Sequence, residues 1–297
     1  MSARATTNTR RLGLGAVVGL LGVVLAGTGL TACKPAPPDT YVAIGDSYTA
    51  GPLIPNQSTS PLGCLRSDKN YPQLAKAKIK AAKFVDVSCS GATTADFTAA
   101  QDVTPGPANP PQLSSVNAAT KVLTVGIGGN DIGFTDIVKT CATQNPFGKG
   151  CTPIYVHDGR DELQEKIDAT APKIDKVLAT AKKQAPGAAI FVVGYPTIIP
   201  ETGTGCYPVV PLLPSDIPYL RKTAKALNTM LKARATAAGA HYIDTAASSI
   251  GHDFCSSSKW VEGIIPTSSA APVHPNASGM RNTADVVAAA VNAVVTS

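Results

Sequence analysis

The short stretch Gly45-Asp46-Ser47 follows an apolar run, Tyr41-Val42-Ala43-Ile44, of the kind that fills both faces of a parallel sheet. A serine at the end of such a strand is a candidate nucleophile, but the hydroxyl is weak until a base takes its proton. Taken alone the stretch is equally a helix start, because Asp and Ser both cap N-termini well. The chain offers four histidines as the base. His157 sits beside a loop, and His241 falls inside a strand of buried type, where a satisfied core histidine is expected. His252, in Gly251-His252-Asp253, is a candidate ligand contact. His274 lies in Pro272-Val273-His274-Pro275-Asn276, a proline-stiffened loop just ahead of the last helical pattern, which suits a base carried to the edge of a sheet. No Cys-x-x-Cys or His-Glu-x-x-His occurs, so metal chemistry has no motif, and none is expected; nor is any cofactor.

The elements that must position these residues alternate between strand and helix. Strands are expected at 41–44, 84–87, 121–127, 188–194 and 239–244, and helices at 71–83, 158–184, 216–237 and 279–295, with a shorter helix beginning at Phe134 and a brief one at 113–119. The third strand opens into Gly128-Gly129-Asn130-Asp131, where glycines permit backbone shapes closed to other residues. Few hairpin signals interrupt the series. This pattern predicts an α/β fold, a parallel sheet with helices on both faces and a crevice at the carboxyl ends of its strands. The long irregular stretch 195–215 carries Ile198, Ile199, Val209, Val210, Leu212 and Leu213, which would either line an acyl-binding wall or cover a sheet edge.

Charged residues make up only 15% of the 297 and hydrophobic ones 44%, which excludes a disordered chain. Residues 1–32 hold Arg4, Arg10 and Arg11 and no acid, and removing them lowers the formal charge from +6 to +3, too little to suggest a nucleic-acid partner. The order of charge, apolar run 12–30 and Leu30-Thr31-Ala32-Cys33 is that of an export leader, and its end resembles a bacterial lipobox. The paired arginines leave Sec and twin-arginine routes both open. We expect a lipoprotein signal peptide at 1–32, lipidation of Cys33, a proline-rich tether at 33–39 and one domain at 40–297. Six further cysteines allow 15 connectivities. Pairing sequence neighbours, Cys64 with Cys89, Cys141 with Cys151 and Cys206 with Cys255, closes one local excursion per bridge and implies an oxidising compartment.

Four blocks in order, Gly45-Asp46-Ser47, Gly91 within Ser90-Gly91-Ala92-Thr93, Gly129-Asn130-Asp131 and Val273-His274-Pro275, resemble those of the SGNH hydrolases of the GDSL esterase and lipase family. The resemblance spans nearly all of 40–297. It implies a three-layer sandwich around a five-stranded, flavodoxin-like parallel sheet, with Ser47 as nucleophile and His274 as base. It also implies an oxyanion hole made of the Ser47 N–H, the Gly91 N–H and the Asn130 amide, and the residue types suit that task. Glycine bares its N–H and asparagine is a neutral donor. The family usually places Asp three residues before the histidine, where this chain has Ala271. Some secreted actinomycete members, similar also in their six cysteines and in a Gly-His-Asp ahead of a cysteine, use a backbone carbonyl instead. The expected acceptor for the His274 ring is therefore the Ala271 C=O. The α/β-hydrolase alternative lacks its Gly-x-Ser-x-Gly elbow.

The resemblance implies a serine esterase or lipase acting on lipid or other acyl esters, and the leader an exported one, held to the outer face of the cytoplasmic membrane through Cys33 or released to the medium. A monomer is expected. Acyl transfer to a sugar or lipid hydroxyl would use the same residues, and Ala271 keeps open an envelope lipoprotein that only binds glycan or lipid.

Overall fold

In the computed structural model, which describes residues 40–79 and 81–295, the first strand, β1 (Thr40–Gly45), is buried along all six residues. The leader, Cys33 and the tether lie outside the described residues. After β1 come α1 (Ser47–Ala50), α2 (Tyr71–Ile79), β2 (Lys83–Asp86), β3 (Thr120–Gly126) and α3 (Phe134–Cys141). The second half runs α4 (Thr152–Tyr155), β4 (Val156–His157), β5 (Arg160–Asp161), α5 (Glu162–Gln184), β6 (Ala189–Val193), α6 (Ile217–Ala237), β7 (His241–Ile243), α7 (Thr245–Ser248) and α8 (Ala277–Val295).

Five of the strands form one parallel sheet in the order β2-β1-β3-β6-β7. Alternation along each strand sorts its side chains into two layers. Tyr41, Ala43, Val122, Phe191 and Val193 pack with residues of α2 and α8, while Val42, Ile44, Leu123, Val125 and Val192 pack with those of α5 and α6. The result is a three-layer α/β sandwich, and the near-continuous apolar runs of β1 and β3 follow from burial on both faces. Truncating a side chain as enclosed as Ile44, 0% exposed, to Ala costs about 2–5 kcal/mol. Successive crossovers reverse direction between β1 and β3, which opens a crevice beyond the carboxyl ends of these two strands.

Two expectations are corrected. The long helix begins at Glu162 rather than Asp158, because Asp158 and Gly159 both take positive φ (50° and 74°) and turn β4 back on β5 as a two-residue hairpin. Asp161 then caps α5 by accepting from the Gln164 N–H at 3.2 Å, and Pro172 sits inside the helix without ending it. His241 is exposed, not a core residue, because β7 is an edge strand; its ring stacks on Phe191 at 5.0 Å. Disulfides join Cys64 to Cys89, Cys141 to Cys151 and Cys206 to Cys255. Among the described residues no helix is long and apolar enough to cross a membrane.

Candidate active site

The turn after β1 is fixed from several sides. A Cβ on Gly45 would approach Gly126 O to 2.6 Å, so only glycine lets β1 and β3 end this close together. The buried Gln112 amide clasps the Gly45 backbone, accepting from its N–H at 2.7 Å and donating to its C=O at 3.0 Å. Asp46 N–H donates to Gly126 O at 2.9 Å, and the Asp46 carboxylate caps α1 by accepting from Tyr48 N–H at 2.9 Å. Ser47, only 8% exposed, is thereby held at the start of a single helical turn that Gly51 ends in the left-handed conformation, φ 73°.

His274 reaches this serine from a site 227 residues away, its Nε2 standing 2.7 Å from Ser47 Oγ. Its Nδ1 lies 2.7 Å from Pro272 O. A carbonyl only accepts, so Nδ1 carries the proton and Nε2 presents a lone pair to the serine hydroxyl. The expected acceptor, Ala271 C=O, is thus corrected to Pro272 C=O, and the turn supplies the reason. Ala271 O is taken by the His274 backbone N–H at 3.2 Å, closing a four-residue turn with Pro272 second and Val273 at φ 60° third. That is the pattern of a type II turn, in which the central carbonyl faces away from the closing bond and is free to meet the ring.

Val273 is β-branched and in the left-handed region, a costly conformation that neighbours must hold. Its N–H donates to Gly263 O at 3.1 Å, and its C=O accepts from the Tyr48 hydroxyl at 2.6 Å. Tyr48 also lies against the His274 ring, centroids 4.9 Å apart. Beneath the loop, the buried Glu262 carboxylate accepts from Asn276 Nδ2 at 2.8 Å, Ser268 Oγ at 2.6 Å and Thr267 N–H at 2.7 Å. Burial works to raise the Glu262 pKa, but these bonds outweigh it and hold the group below the usual carboxylate range. Asn276 passes the support on, its Oδ1 accepting from Ser278 and Gly279 N–H groups at the start of α8. His274 itself is half-buried, and loss of water lowers its pKa from 6.5, only partly offset by the bond to Pro272.

Three donors that the sequence blocks single out have capacity to spare. Neither the Ser47 N–H nor the Gly91 N–H is bonded within the described residues, and Gly91 adopts φ 81°, which glycine accepts without strain. Asn130 spends one amide proton on Ala92 O at 2.8 Å and keeps the other. The loops bearing Gly91 and Asn130 are tied together by Asp131, which accepts from Thr94 N–H at 3.0 Å and from Thr94 Oγ1 at 2.6 Å. A second tie runs under the nucleophile. Tyr195 Oη accepts from Gly129 N–H at 2.7 Å and donates to Asp46 Oδ2, so one phenol joins the Ser47 turn to the Asn130 loop. Burial pushes the Asp46 carboxyl up to about 7 despite the bonds from Tyr195 and Tyr48.

Of the remaining candidates, His157 pairs with Asp158 and Glu162 in the small hairpin, and His252 stacks on Trp260 at 3.6 Å with its Nδ1 on Ser258 O; neither meets Ser47. Ile198, Ile199 and Leu212 line an apolar cavity together with Phe134, Ile137 and Val273, so part of the 195–215 stretch forms a cavity wall beside the histidine loop. Val210 and Leu213 are buried, while Val209 is 71% exposed. Sequence reasoning missed Gln112, Tyr48, Tyr195, Glu262 and Pro272 as supports. Only Tyr48, the neighbour of Ser47, carried a positional hint.

Known proteins resemble this chain over most of its length. Residues 43–281 match the GDSL-like Lipase/Acylhydrolase family. The chain is 37% identical over 272 residues to Lipase 2 of Streptomyces coelicolor, covering 89% of this chain and 90% of that one. It is 31% identical over 264 residues to a lipase of Streptomyces rimosus, covering 88% and 90%. Among solved structures, phospholipase A1 from Streptomyces albidoflavus superposes with a TM-score of 0.72 at 29% identity, covering 85% of this chain and 99% of that one.

Proposed function

The chain belongs to the GDSL-like lipase/acylhydrolase family and is a carboxylic ester hydrolase, and on that premise we propose that it is an exported enzyme working through an acyl-Ser47 intermediate with a Ser47–His274 dyad. The observation that carries this reading is the 2.7 Å approach of His274 Nε2 to Ser47 Oγ with the opposite ring nitrogen fixed on a carbonyl. Ser47 Oγ adds to the ester carbonyl as its proton passes to Nε2, and the tetrahedral oxyanion is held by the Ser47 N–H, the Gly91 N–H and the spare Asn130 amide proton. Collapse breaks the bond to the alcohol, which leaves with the proton from Nε2. Water, deprotonated by the same nitrogen, then adds to the acyl group and frees Ser47. The Pro272 carbonyl does one part of the work of a triad aspartate, setting the tautomer and ring angle. It supplies a dipole and no charge, so it stabilises the imidazolium less.

The apolar cavity beside Phe134 and Val273 suits the acyl chain, and relatives named lipase and phospholipase A1 favour lipid esters as substrates. Three disulfides favour an oxidising compartment, and the leader ending in Leu30-Thr31-Ala32-Cys33 favours export with a lipid on Cys33, at the outer face of the membrane. Hydrolysis of p-nitrophenyl esters from short to long acyl chains, run beside Ser47→Ala, tests the reaction; equal rates for the two proteins on every ester would overturn it. Mass spectrometry of the mature N-terminus tests the anchor, an unmodified start elsewhere than Cys33 overturning it.

A further inference from the structure

When Nε2 takes the serine proton, the His274 ring becomes a cation in a half-buried place where loss of water already works against charge. Its two nitrogens meet Pro272 O and Ser47 Oγ, each at 2.7 Å, and neither partner is a carboxylate. The acids of the neighbouring segments are engaged elsewhere. Asp46 accepts from Tyr48 N–H and Tyr195 Oη, Glu262 from Asn276, Ser268 and Thr267, and Asp131 from Thr94.

Aromatic rings stand around the imidazole instead. Tyr48 lies 4.9 Å from it between centroids with the planes 34° apart, nearer to face-on than to edge-on, and Phe134 is almost perpendicular to it at 6.3 Å. Tyr48 is gripped in turn. Phe134 and Tyr195 pack against it at 86° and 80°, with centroids 5.8 Å and 5.0 Å away, and its hydroxyl donates to Val273 O at 2.6 Å. Burial and the nearby Asp46 push its pKa well above the ordinary tyrosine value, so the phenol stays neutral. An aromatic face is the negative part of the ring's charge distribution, and it attracts a cation within about 6 Å of its centroid, most strongly where water is excluded. The held angle of Tyr48 therefore turns such a face to the one ring of the site that gains a positive charge.

We propose that Tyr48 stabilises the His274 imidazolium through the face of its ring, supplying part of what the missing carboxylate would give. Tyr48 acts through His274 and not on the ester, so it is a positioning residue with an electrostatic share. The inference deepens the ester-hydrolase reading and rests on it for the effect on rate, but not for the effect on the proton affinity of the ring. The test places phenylalanine and its mono-, di- and trifluorinated forms at position 48, with Tyr48→Leu beside them. Tyr48→Phe reports the loss of the bond to Val273 O alone, and fluorination then drains the ring face at nearly constant shape. Each protein is assayed on p-nitrophenyl butyrate, and the His274 pKa is read by NMR from the imidazole signal that His274→Gln removes. The expected result is a stepwise fall in kcat with fluorination, about three- to thirtyfold across the series at little-changed KM. The His274 pKa falls in step by about half a unit or more, because a weaker face favours the neutral ring, and Tyr48→Leu lies at the low end of both series. An unchanged His274 pKa across the phenylalanine series, whatever kcat does, overturns the proposal and leaves Tyr48 a packing residue; so does a falling pKa with constant kcat. If no protein, the parent included, cleaves butyrate or a longer ester while the pKa still falls along the series, the ring contact stands and the esterase reading falls.

Discussion

Ser47 follows a strand enclosed on both faces and clasped by the Gln112 amide, whereas His274 stands on a loop that takes no place in the sheet and is fixed by Glu262, Tyr48 and its own turn. The serine side borrows the rigidity of the core through the adjoining ends of β1 and β3. The histidine side builds its own, spending one buried carboxylate and one left-handed valine to aim a ring. A reacting pair therefore joins two supports of different origin, and each can be perturbed without the other.

The sharpest break comes from the pair itself: Ser47→Ala or His274→Ala lowers kcat on a p-nitrophenyl ester by at least about a thousandfold, with near-parent folding by circular dichroism. Next in size, Asn130→Ala lowers kcat by roughly a hundred- to a thousandfold with little change in KM, since its spare proton meets charge only in the tetrahedral state. Glu262→Leu strikes the histidine side alone. With four donor contacts to its carboxylate lost, it lowers stability by about 1–3 kcal/mol in urea melts and slows acylation, whereas a truncation beneath β1 destabilises the whole sheet. Tyr195→Phe removes the tie between Asp46 and Gly129, costing about two- to tenfold in kcat at unchanged KM.

The smallest effects concern the ring. Because His274 acts as a base when neutral and burial lowers its pKa from 6.5, the acid limb of kcat/KM falls below the pH of an ordinary histidine; a limb above it would contradict the geometry. Ala271→Asp, which restores the usual family residue, leaves kcat near the parent value, because Nδ1 is already satisfied by Pro272 and the Ala271 carbonyl closes the turn.

The two sides also differ in how much of them can be read from the chain. The strand that leads to Ser47 is legible because burial on both faces leaves a continuous apolar run and the turn demands glycine. The loops of Gly91 and Asn130 are legible as residue blocks. The Pro272 acceptor is not, since main-chain oxygens are identical in every residue and only the positive φ of Val273 decides which one faces the imidazole. Glu262 and Gln112 escape for a related cause, as a polar side chain that folding buries has no periodic neighbour to betray it. The Asp158-Gly159 hairpin was open to reading, but the helical stripe behind it masks two short strands.

A main-chain acceptor alters what inheritance can take away. A triad aspartate is one codon from loss, whereas no substitution at position 272 deletes the oxygen that holds the imidazole. Damaging alleles should therefore fall at the positions that shape the loop, Val273 and Glu262 among them, and leave codon 272 comparatively tolerant to any residue that keeps the turn.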